Sequence, residues 1–282
     1  MEKEDLDIPE FNEIINIKMA KILIVIPARY HSSRLPGKPL VKIKGIEMIK
    51  RVAQIAEFVC NSNKDTEYVI ATDNKKIFDF AIENNIPVVI TSENCKNGSE
   101  RCWDAVKVLQ KKYELIINLQ GDNPLCPTNI IQSLIDEWNE TKPDICTPFI
   151  QLDWESYNNL IEHKKKTKYS GTSVLINKDN YATAFSKNIV PAIRNIEKAM
   201  QEPLSPVRLH IGVYAYSYQS LEKYVSLPES EYEQDYIEGL EQLRFLYNGF
   251  CMKMIQVYCE YKEMLMGIDS WEDVEQAEKF LT

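Results

Sequence analysis

The stretch from Lys21 to Ala28 reads KILIVIPA and determines the expected fold. It is a continuous run of mostly β-branched apolar residues that ends at a polar loop. Such a run is typical of a strand buried on both faces of a parallel sheet. In open α/β sheets, ligands bind beyond the carboxyl ends of the strands. We therefore expect a central first strand here and ligand-binding groups in the loop that follows it.

The same alternation continues through the first half of the chain. Apolar runs and amphipathic stretches follow one another, which predicts helices that connect parallel strands by right-handed crossovers. The predicted strands cover 67–71, 86–91, 114–119 and 144–149, and the predicted helices cover 46–60, 74–83, 99–111 and 127–139. The expected fold class is α/β with a doubly wound, mostly parallel sheet.

The second half is less regular. Strands are expected at 172–176, 210–217 and 252–258, and helices at 219–224, at 236–247 and after Ser270. The basic run at 162–168 is interpreted as a solvated loop or strand edge. Because no Gly/Ser linker or internal repeat interrupts the chain, we expect one body over residues 20–282 with a β-rich insertion. Residues 1–19 are expected to form an N-terminal extension.

Composition disfavours several classes of protein. The chain has 282 residues, of which 44% are hydrophobic and 27% charged, as in ordinary folded proteins. A net charge of −9 disfavours nucleic-acid binding. The seven cysteines form no C-x-x-C pair, the first 19 residues are acidic where an export signal would be basic, and the longest apolar run is too short to span a bilayer. We expect a cytoplasmic protein with reduced thiols, no membrane span and no nucleic-acid partner.

The loop after the first strand concentrates positive charge. It reads PARYHSSRLPGKPL from Pro27 to Leu40 and includes Arg29, Arg34 and Lys38. Guanidinium groups bind phosphate through forked hydrogen-bond pairs, and lysine adds a point charge. A solvated basic loop is the alternative interpretation. The position of the loop in an acidic protein favours an anion site for a triphosphate, although the Walker motif G-x-x-x-x-G-K-[ST] is absent.

Two aspartates follow glycines at the ends of apolar stretches. Asp122 comes after Gly121 in the QGDNP loop, and Asp269 comes after Gly267 just before the last predicted helix. Mg²⁺ prefers one or two carboxylates together with phosphate oxygens. A charge interaction with the helix N-terminus is an equally good explanation for Asp269 taken alone. Together the two aspartates suggest a Mg²⁺ site.

Several motifs occur in the order found in one enzyme family. They are PARYHSSRLPGKPL, ATDN (71–74), TSENCKNGSER (91–101), QGDNP (120–124), HIGVYAY (210–216), LEQLRFLYNG (240–249) and GIDSWEDVE (267–275). The chain thereby resembles the 3-deoxy-manno-octulosonate cytidylyltransferases, or CMP-Kdo synthetases, from about residue 21 to 282. The resemblance implies a nucleotide-diphospho-sugar transferase fold and Mg²⁺-dependent transfer of CMP from CTP to the anomeric hydroxyl of an acidic 2-keto sugar, with release of pyrophosphate. It also implies a homodimer formed through the β-rich insertion, and a role in the synthesis of lipopolysaccharide or surface glycan.

The resemblance implies roles for individual residues. The catalytic group is Arg29, Arg34, Lys38, Asp122 and Asp269, with the two aspartates as metal ligands. The nucleotide-binding group is Arg29, Ser32, Arg34, Lys38, Ala71, Thr72, Asp73, Ser99, Arg101 and Gln120. The sugar-binding group is His210, Tyr214, Glu238, Glu241, Gln242 and Arg244. Two structural alternatives remain: one of Tyr214 and Tyr216 packs in the core, and Glu241 and Arg244 have the spacing of an ordinary i,i+3 helix pair.

The chain departs from the family pattern at three places. Asn123 replaces a carboxylate in QGDNP, Lys187 replaces an arginine in the FSR segment, and the segment 227–244 is longer than its counterpart by two residues. The last two changes fall on the sugar side. The acceptor is therefore 3-deoxy-manno-octulosonate (Kdo) or a close variant such as the 8-amino sugar, with another ulosonic acid or a phosphonate as the alternative. A non-catalytic nucleotide-binding subunit is the alternative from another class.

Overall fold

The computed structural model describes residues 21–32, 34–259 and 267–281, so the expected extension at 1–19 lies outside the described residues. The strands are β1 (Ile22–Ala28), β2 (Lys42–Ile43), β3 (Ile46–Glu47), β4 (Thr66–Thr72), β5 (Val88–Ile90), β6 (Leu115–Leu119), β7 (Ile145–Asp153), β8 (Thr172–Ile176), β9 (Ala182–Ser186), β10 (Leu204–His210), β11 (Val213–Ser217) and β12 (Lys253–Gln256). The helices are α1 (Met48–Ser62), α2 (Lys75–Glu83), α3 (Gly98–Leu109), α4 (Thr128–Thr141), α5 (Trp154–Lys166), α6 (Ile196–Ala199), α7 (Tyr218–Tyr224), α8 (Leu243–Tyr247) and α9 (Trp271–Phe280).

One mixed sheet organises the molecule. Its strand order is β5-β4-β1-β6-β11-β7-β10-β8-β9, and β12 pairs with β7. Strand β1 pairs in parallel with β4 and β6, and β4 pairs in parallel with β5. Strand β11 is antiparallel to both β6 and β7, so β7 runs in the same direction as β6. The α/β class and the five strands predicted in the first half are thereby confirmed.

Strand β1 is buried along its whole length, which explains its continuous apolar run. Ile22, Ile24 and Ile26 pack on one face of the sheet, mainly against α1, α2 and α4. Leu23 and Val25 pack on the other face, where α3 and α7 lie. Because both faces are covered, neither set of side chains needs to be polar. The carboxyl ends of β1 and β6 lie beside each other, and the loops there form the site.

The four helices between the first five strands match the prediction to within a few residues, and Ser270 caps α9 as its sequence suggests, accepting a hydrogen bond from the Asp273 amide at 3.3 Å. The expected single strand at 210–217 is wrong, because the structure has two strands there. Two strands, β10 and β11, occupy that region and break at 211–212. Both strands run antiparallel to β7, so the chain keeps its direction across the break, and β10 pairs with β8 while β11 pairs with β6.

The basic run at 162–168 is not a loop or strand edge, since most of it forms the end of α5. Asp153 caps the start of this helix by accepting a hydrogen bond from the Ser156 amide at 2.7 Å. Leu160 is the fully buried residue of α5, which explains why the amphipathic pattern is weak. The lysines occupy its last turn, where cations interact favourably with the helix dipole.

The expected helix at 236–247 is also wrong. Gly239 has φ of +63°, and its amide donates to the Tyr232 and Gln234 carbonyls at 3.1 and 3.2 Å, so the chain makes a tight turn there. A 3₁₀ turn over Glu231–Glu233 precedes it, and α8 begins only at Leu243. Tertiary contacts of this segment therefore override its helical spacing.

None of the helices within the described residues is long and apolar enough to cross a membrane.

Candidate active site

A cavity of about 1560 Å³ opens at the carboxyl ends of β1 and β6. One end is lined by the loop after β1, and the opposite end by residues of β10, the segment 229–244 and the residues around 187. Most of the predicted site residues line it: Arg29, Ser32, Arg34, Lys38, Arg101, Gln120, Asp122, His210, Tyr214, Glu238, Glu241, Gln242, Arg244 and Asp269. Ala71, Thr72, Asp73 and Ser99 lie just outside its lining.

Lys38 lies between the two predicted metal ligands. Its ammonium nitrogen is 2.6 Å from Asp122 Oδ2 and 2.9 Å from Asp269 Oδ1. Arg34 Nη2 is 3.0 Å from the other oxygen of Asp269. Burial alone would lower the pKa of Lys38, but the two carboxylates outweigh it and raise that pKa. Burial would raise the pKa of Asp269, but Lys38 and Arg34 lower it. Asp269 is therefore charged, and both acids converge on one cation.

Glycines allow the two aspartates to approach each other. A Cβ on Gly121 would lie 2.7 Å from the Pro27 carbonyl oxygen, and one on Gly267 would lie 3.2 Å from Asp122 Oδ1. The Ile268 amide donates to the Asp122 carbonyl at 2.9 Å, which fastens the loop after β6 to the segment before α9. Asp122 and Asp269, which are distant in sequence, can therefore approach each other because a glycine at a close contact stands just before each of them.

The donor set fits Mg²⁺. Both carboxylates reach the same point, since both contact the Lys38 ammonium. Two converging carboxylates are what this ion takes from proteins when phosphates and water supply the rest. Asn123, the departure beside Asp122, is buried and does not line the cavity. Its substitution for a carboxylate therefore leaves this pair of acids intact.

The nucleotide side is built around the start of α3. A Cβ on Gly98 would lie 2.8 Å from Gln120 Nε2, so the helix start lies directly on that side chain. Arg101 is buried and donates to Asp73 Oδ2 and Thr91 Oγ1 at 2.7 and 2.8 Å. Asp73 thus positions Arg101. Ala71 and Thr72 are fully buried at the end of β4.

His210 is a neutral imidazole in this site. Thr147 Oγ1 donates to the Val213 carbonyl at 2.8 Å, so it accepts from His210 Nε2 at 2.7 Å. Burial lowers the pKa of His210 to about 3, and the nearby Lys187 adds to this. The hydrogen-bond network therefore assigns the proton to Nε2 and leaves Nδ1 as the ring acceptor.

The two tyrosines of β11 are both buried and both hydrogen-bonded. Tyr214 donates to Gln242 Oε1 at 3.0 Å, and Tyr216 shares a hydrogen bond of 2.7 Å with Ser99 Oγ. Of the two, Tyr214 lines the cavity, so the alternative of core packing applies to Tyr216. The Gln242 amide nitrogen is buried with no hydrogen-bond partner among the described residues, which leaves it available to a ligand.

Three charged residues of the sugar side are held by the protein itself. Glu241 accepts from the Ser99 amide at 3.0 Å and Gln120 Nε2 at 3.3 Å, and burial raises its pKa. Glu238 accepts from Ser186 Oγ at 2.9 Å and the Lys187 amide at 2.6 Å. Arg244 pairs with Glu233 and Glu100. Glu241 and Arg244 thus do not form a surface pair.

Sequence reasoning missed two participants. Lys187 lines the sugar end of the cavity, where burial lowers its pKa. It departs from the family pattern on the sugar side, and that signal could have placed it among the predicted site residues. Glu233 also lines the cavity but gave no signal, because its partner Arg244 is eleven residues away.

A doubly wound sheet whose carboxyl edge combines a cationic loop with two converging carboxylates defines a nucleotidyltransferase of the α/β class. The comparisons with known proteins agree, because the sequence matches the cytidylyltransferase family over residues 23–260. The chain belongs to this family and, within it, to the 3-deoxy-manno-octulosonate cytidylyltransferases.

Relatives with that name cover nearly the whole chain. The protein from Maricaulis maris is 37% identical over 91% of this chain and 95% of its own. The protein from Parabacteroides distasonis is 35% identical over 93% and 99%. Among solved structures, CMP:2-keto-3-deoxy-manno-octonic acid synthetase in complex with CTP superposes with a TM-score of 0.76 at 29% identity, covering 93% of this chain and 98% of that one. These similarities extend across both ends of the cavity.

Proposed function

We propose that this enzyme transfers CMP from CTP to the anomeric hydroxyl of Kdo and releases pyrophosphate. The observation that supports this most directly is the cluster of Lys38, Asp122 and Asp269 beside the cationic loop, in a cavity whose other end is polar and buried. The names of the relatives and the CTP in the solved structure support the same two substrates. We further propose that the reaction occurs in the cytoplasm, by a homodimer, for lipopolysaccharide or surface-glycan synthesis.

The chemistry needs positioning and charge stabilisation from the protein. The anomeric oxygen attacks the α-phosphorus in line with the bond to the leaving pyrophosphate, and its proton passes to solvent. Arg29, Arg34 and Lys38 bind the oxygens of the pyrophosphate and stabilise its charge as it leaves. Mg²⁺, which Asp122 and Asp269 would hold, supplies further charge neutralisation. No side chain of the nucleophilic type is required.

The opposite wall has the groups that an acidic sugar needs. The Lys187 ammonium, which lines that end and interacts electrostatically with His210, would pair with the sugar carboxylate. His210 Nδ1 accepts from a hydroxyl, and the buried Gln242 amide nitrogen donates to one. A site that hydrogen-bonds a hydroxyl rejects analogues lacking it strongly, because its buried polar groups are then unpaired.

A pyrophosphate-release assay with CTP, Mg²⁺ and a panel of acceptors tests this proposal. The panel includes Kdo, its 8-amino variant, another ulosonic acid and a phosphonate. We expect the highest kcat/KM with Kdo. A clear preference for another member of the panel would identify that compound as the acceptor in place of Kdo. Tight CTP binding without turnover of any member would favour the alternative of a non-catalytic nucleotide-binding subunit.

The aspartates provide a second test. Asp122→Asn or Asp269→Asn keeps the shape of the side chain but removes a charge that the reaction needs. We expect kcat to fall by roughly two orders of magnitude or more, with an unchanged circular dichroism spectrum. Activity near that of the unmodified enzyme in both variants would show that the metal assignment is wrong.

A further inference from the structure

The two walls of the cavity are tied together by charged contacts. Glu100 at the start of α3 pairs with Arg244 at 3.1 Å, and the Ser99 amide donates to Glu241 at 3.0 Å. Lys96, just before α3, also pairs with Glu229. All three contacts join the nucleotide side to the segment 229–244. That segment lies within residues 227–244, the stretch expected to be two residues longer than its counterpart in the family.

Glu233 is the centre of these contacts. Its carboxylate accepts from Arg244 Nε at 3.0 Å, from Arg244 Nη2 at 2.7 Å and from the Ser230 amide at 2.8 Å. The Glu233 side chain is 8% exposed and the Arg244 side chain 3% exposed. A forked pair of this kind fixes the orientation of both groups as well as their distance. Removing one partner would leave the other charge buried and unpaired.

The guanidinium nitrogens of Arg244 are already bound by protein groups. Its Nε and Nη2 are bound by Glu233, its Nη1 is bound by Glu100, and its guanidinium carbon lies 4.4 Å from the centre of the Tyr224 ring. The nitrogens that would bind a sugar carboxylate are therefore occupied by protein carboxylates. Arg244 follows Gln242 by two residues, and its amide donates to the Glu241 carbonyl at 3.2 Å, so fixing Arg244 restrains the backbone that carries these two side chains.

We propose that Glu233 is a positioning residue for the acceptor: through Arg244 it holds Glu241 and Gln242 in the sugar end of the cavity and joins that end to the start of α3. The inference rests on the proposed function and deepens it. Residues 234–237 lie between Glu233 and Glu238, and the Glu238 carboxylate accepts from Ser186 Oγ and the Lys187 amide. Both ends of this short turn are therefore anchored to other parts of the cavity wall.

The test is a double-mutant cycle in acceptor KM. Its variants are Glu233→Gln, Arg244→Met and the pair together, with Glu231→Gln as the matched control. Glu231 is exposed two residues away and does not line the cavity. We expect each single change to raise acceptor KM about tenfold or more, since displacement of positioning groups has large effects. The acceptor KM of the double variant should be no higher than that of the worse single variant. Glu231→Gln should keep the acceptor KM within about twofold of the unmodified enzyme. In every variant the Kd for CTP, measured by calorimetry, should stay within the same range.

Other outcomes would contradict either the positioning role of Glu233 or the proposed function. If Glu233 and Arg244 act on the acceptor independently, the effects of losing them will multiply, which overturns the proposal. An unchanged acceptor KM in a folded Glu233→Gln variant also overturns it. If that variant does not fold, Glu233→Asp keeps the charge and should show a raised acceptor KM with normal CTP binding; an unchanged KM there counts against the proposal. Absence of turnover by the unmodified enzyme with Kdo would instead contradict the proposed function.

Discussion

Lys38 occupies the point at which the two acidic side chains converge. With its ammonium 2.6 Å from Asp122 and 2.9 Å from Asp269, it offsets part of the negative charge of both acids. A divalent cation between the same carboxylates would meet this positive charge at close range. CTP offers phosphate oxygens as new partners for the ammonium. Metal and nucleotide should therefore bind with strong mutual dependence.

Removal of the Lys38 charge should strengthen metal binding in the absence of nucleotide. We expect Lys38→Met to bind Mn²⁺, used as a probe for Mg²⁺, about tenfold or more tightly than the unmodified protein, because a competing cation is lost. Electron paramagnetic resonance of free Mn²⁺ measures this without any turnover. Arg29→Met is the control, since Arg29 forms no ion pair with either aspartate among the described contacts. Equal Mn²⁺ affinity in the Lys38 variant and the unmodified protein would contradict the expectation.

His210 should remain neutral across the working pH range. Burial lowers its pKa to about 3, from an ordinary value of 6.5, and the groups around it are Thr147, Lys187 and the rings of Phe185 and Tyr214. Because the pKa is depressed in the folded state, protonation favours the unfolded chain. This group therefore reduces the free energy of unfolding as the pH falls from about 6.5 toward 3, and has no effect above that window.

Nuclear magnetic resonance of the imidazole tests this. We expect the His210 ring, assigned by its loss in His210→Gln, to show a neutral Nε2-protonated form at pH 5 to 8 with no titration. The expected tautomer follows from the donation of Thr147 to the Val213 carbonyl. A titration midpoint near 6.5 would mean that the imidazole is solvated, and it would remove Nδ1 as a fixed acceptor for the sugar.

The loop after β6 lies in close contact with the end of β1. A Cβ on Gly121 would lie 2.7 Å from the backbone oxygen of Pro27, which cannot move without displacing the central strand. We expect Gly121→Ala to lower the free energy of unfolding by about 1–3 kcal/mol. It should also lower kcat sharply, since Asp122 is the next residue. Chemical denaturation and steady-state kinetics measure the two effects.

Gly212 provides the matched control for this substitution. It also lines the cavity, between β10 and β11, but a Cβ there would meet nothing within 4 Å. Gly212→Ala should therefore change the free energy of unfolding by no more than about 0.5 kcal/mol. Equal destabilisation by both substitutions would show that the effect comes from the loss of glycine and not from the contact with Pro27.

The sequence predicts those elements whose structure follows from the pattern of neighbouring residues. The run of β1 indicates a central strand because both faces of that strand are covered, and Arg29, Arg34 and Lys38 could be placed because they follow it directly. The segment 236–247 was mispredicted because the bonds of Glu238 to Ser186 and the Lys187 amide are tertiary. Thr147 and Glu233 were missed for the same reason, since their roles arise only from residues brought together by the fold.

At the scale of the whole molecule, charge is unevenly distributed. The net charge is −9, yet Arg29, Arg34, Lys38 and Lys187 all line one cavity. An acidic surface repels polyanions, whereas the cavity lining has eight lysine or arginine and eight acidic side chains and so carries no such excess of negative charge. This arrangement suits a triphosphate and an acidic sugar better than a nucleic acid.

The segment from α6 to the start of β10 has exposed apolar side chains that suit contact with a second copy. Ile196 and Met200 lie one helical turn apart and are 41% and 53% exposed, and Leu204 at the start of β10 is 39% exposed. Side chains four residues apart on a helical turn lie on the same face. Neighbouring exposed apolar residues of this kind often mark protein interfaces. This surface is where the expected homodimer interface should lie.

Light scattering coupled to size exclusion should therefore give a mass near twice 32.7 kDa for the unmodified protein. Met200→Glu places an unpaired charge in the apolar contact, and desolvating that charge should weaken the dimer enough to give the mass of one chain. Phe58→Glu is the control, because Phe58 is 60% exposed on α1, away from the insertion. It should leave the dimer intact. A single-chain mass for the unmodified protein would contradict the dimer, and a dimer that persists in the Met200 variant would place its interface on another surface.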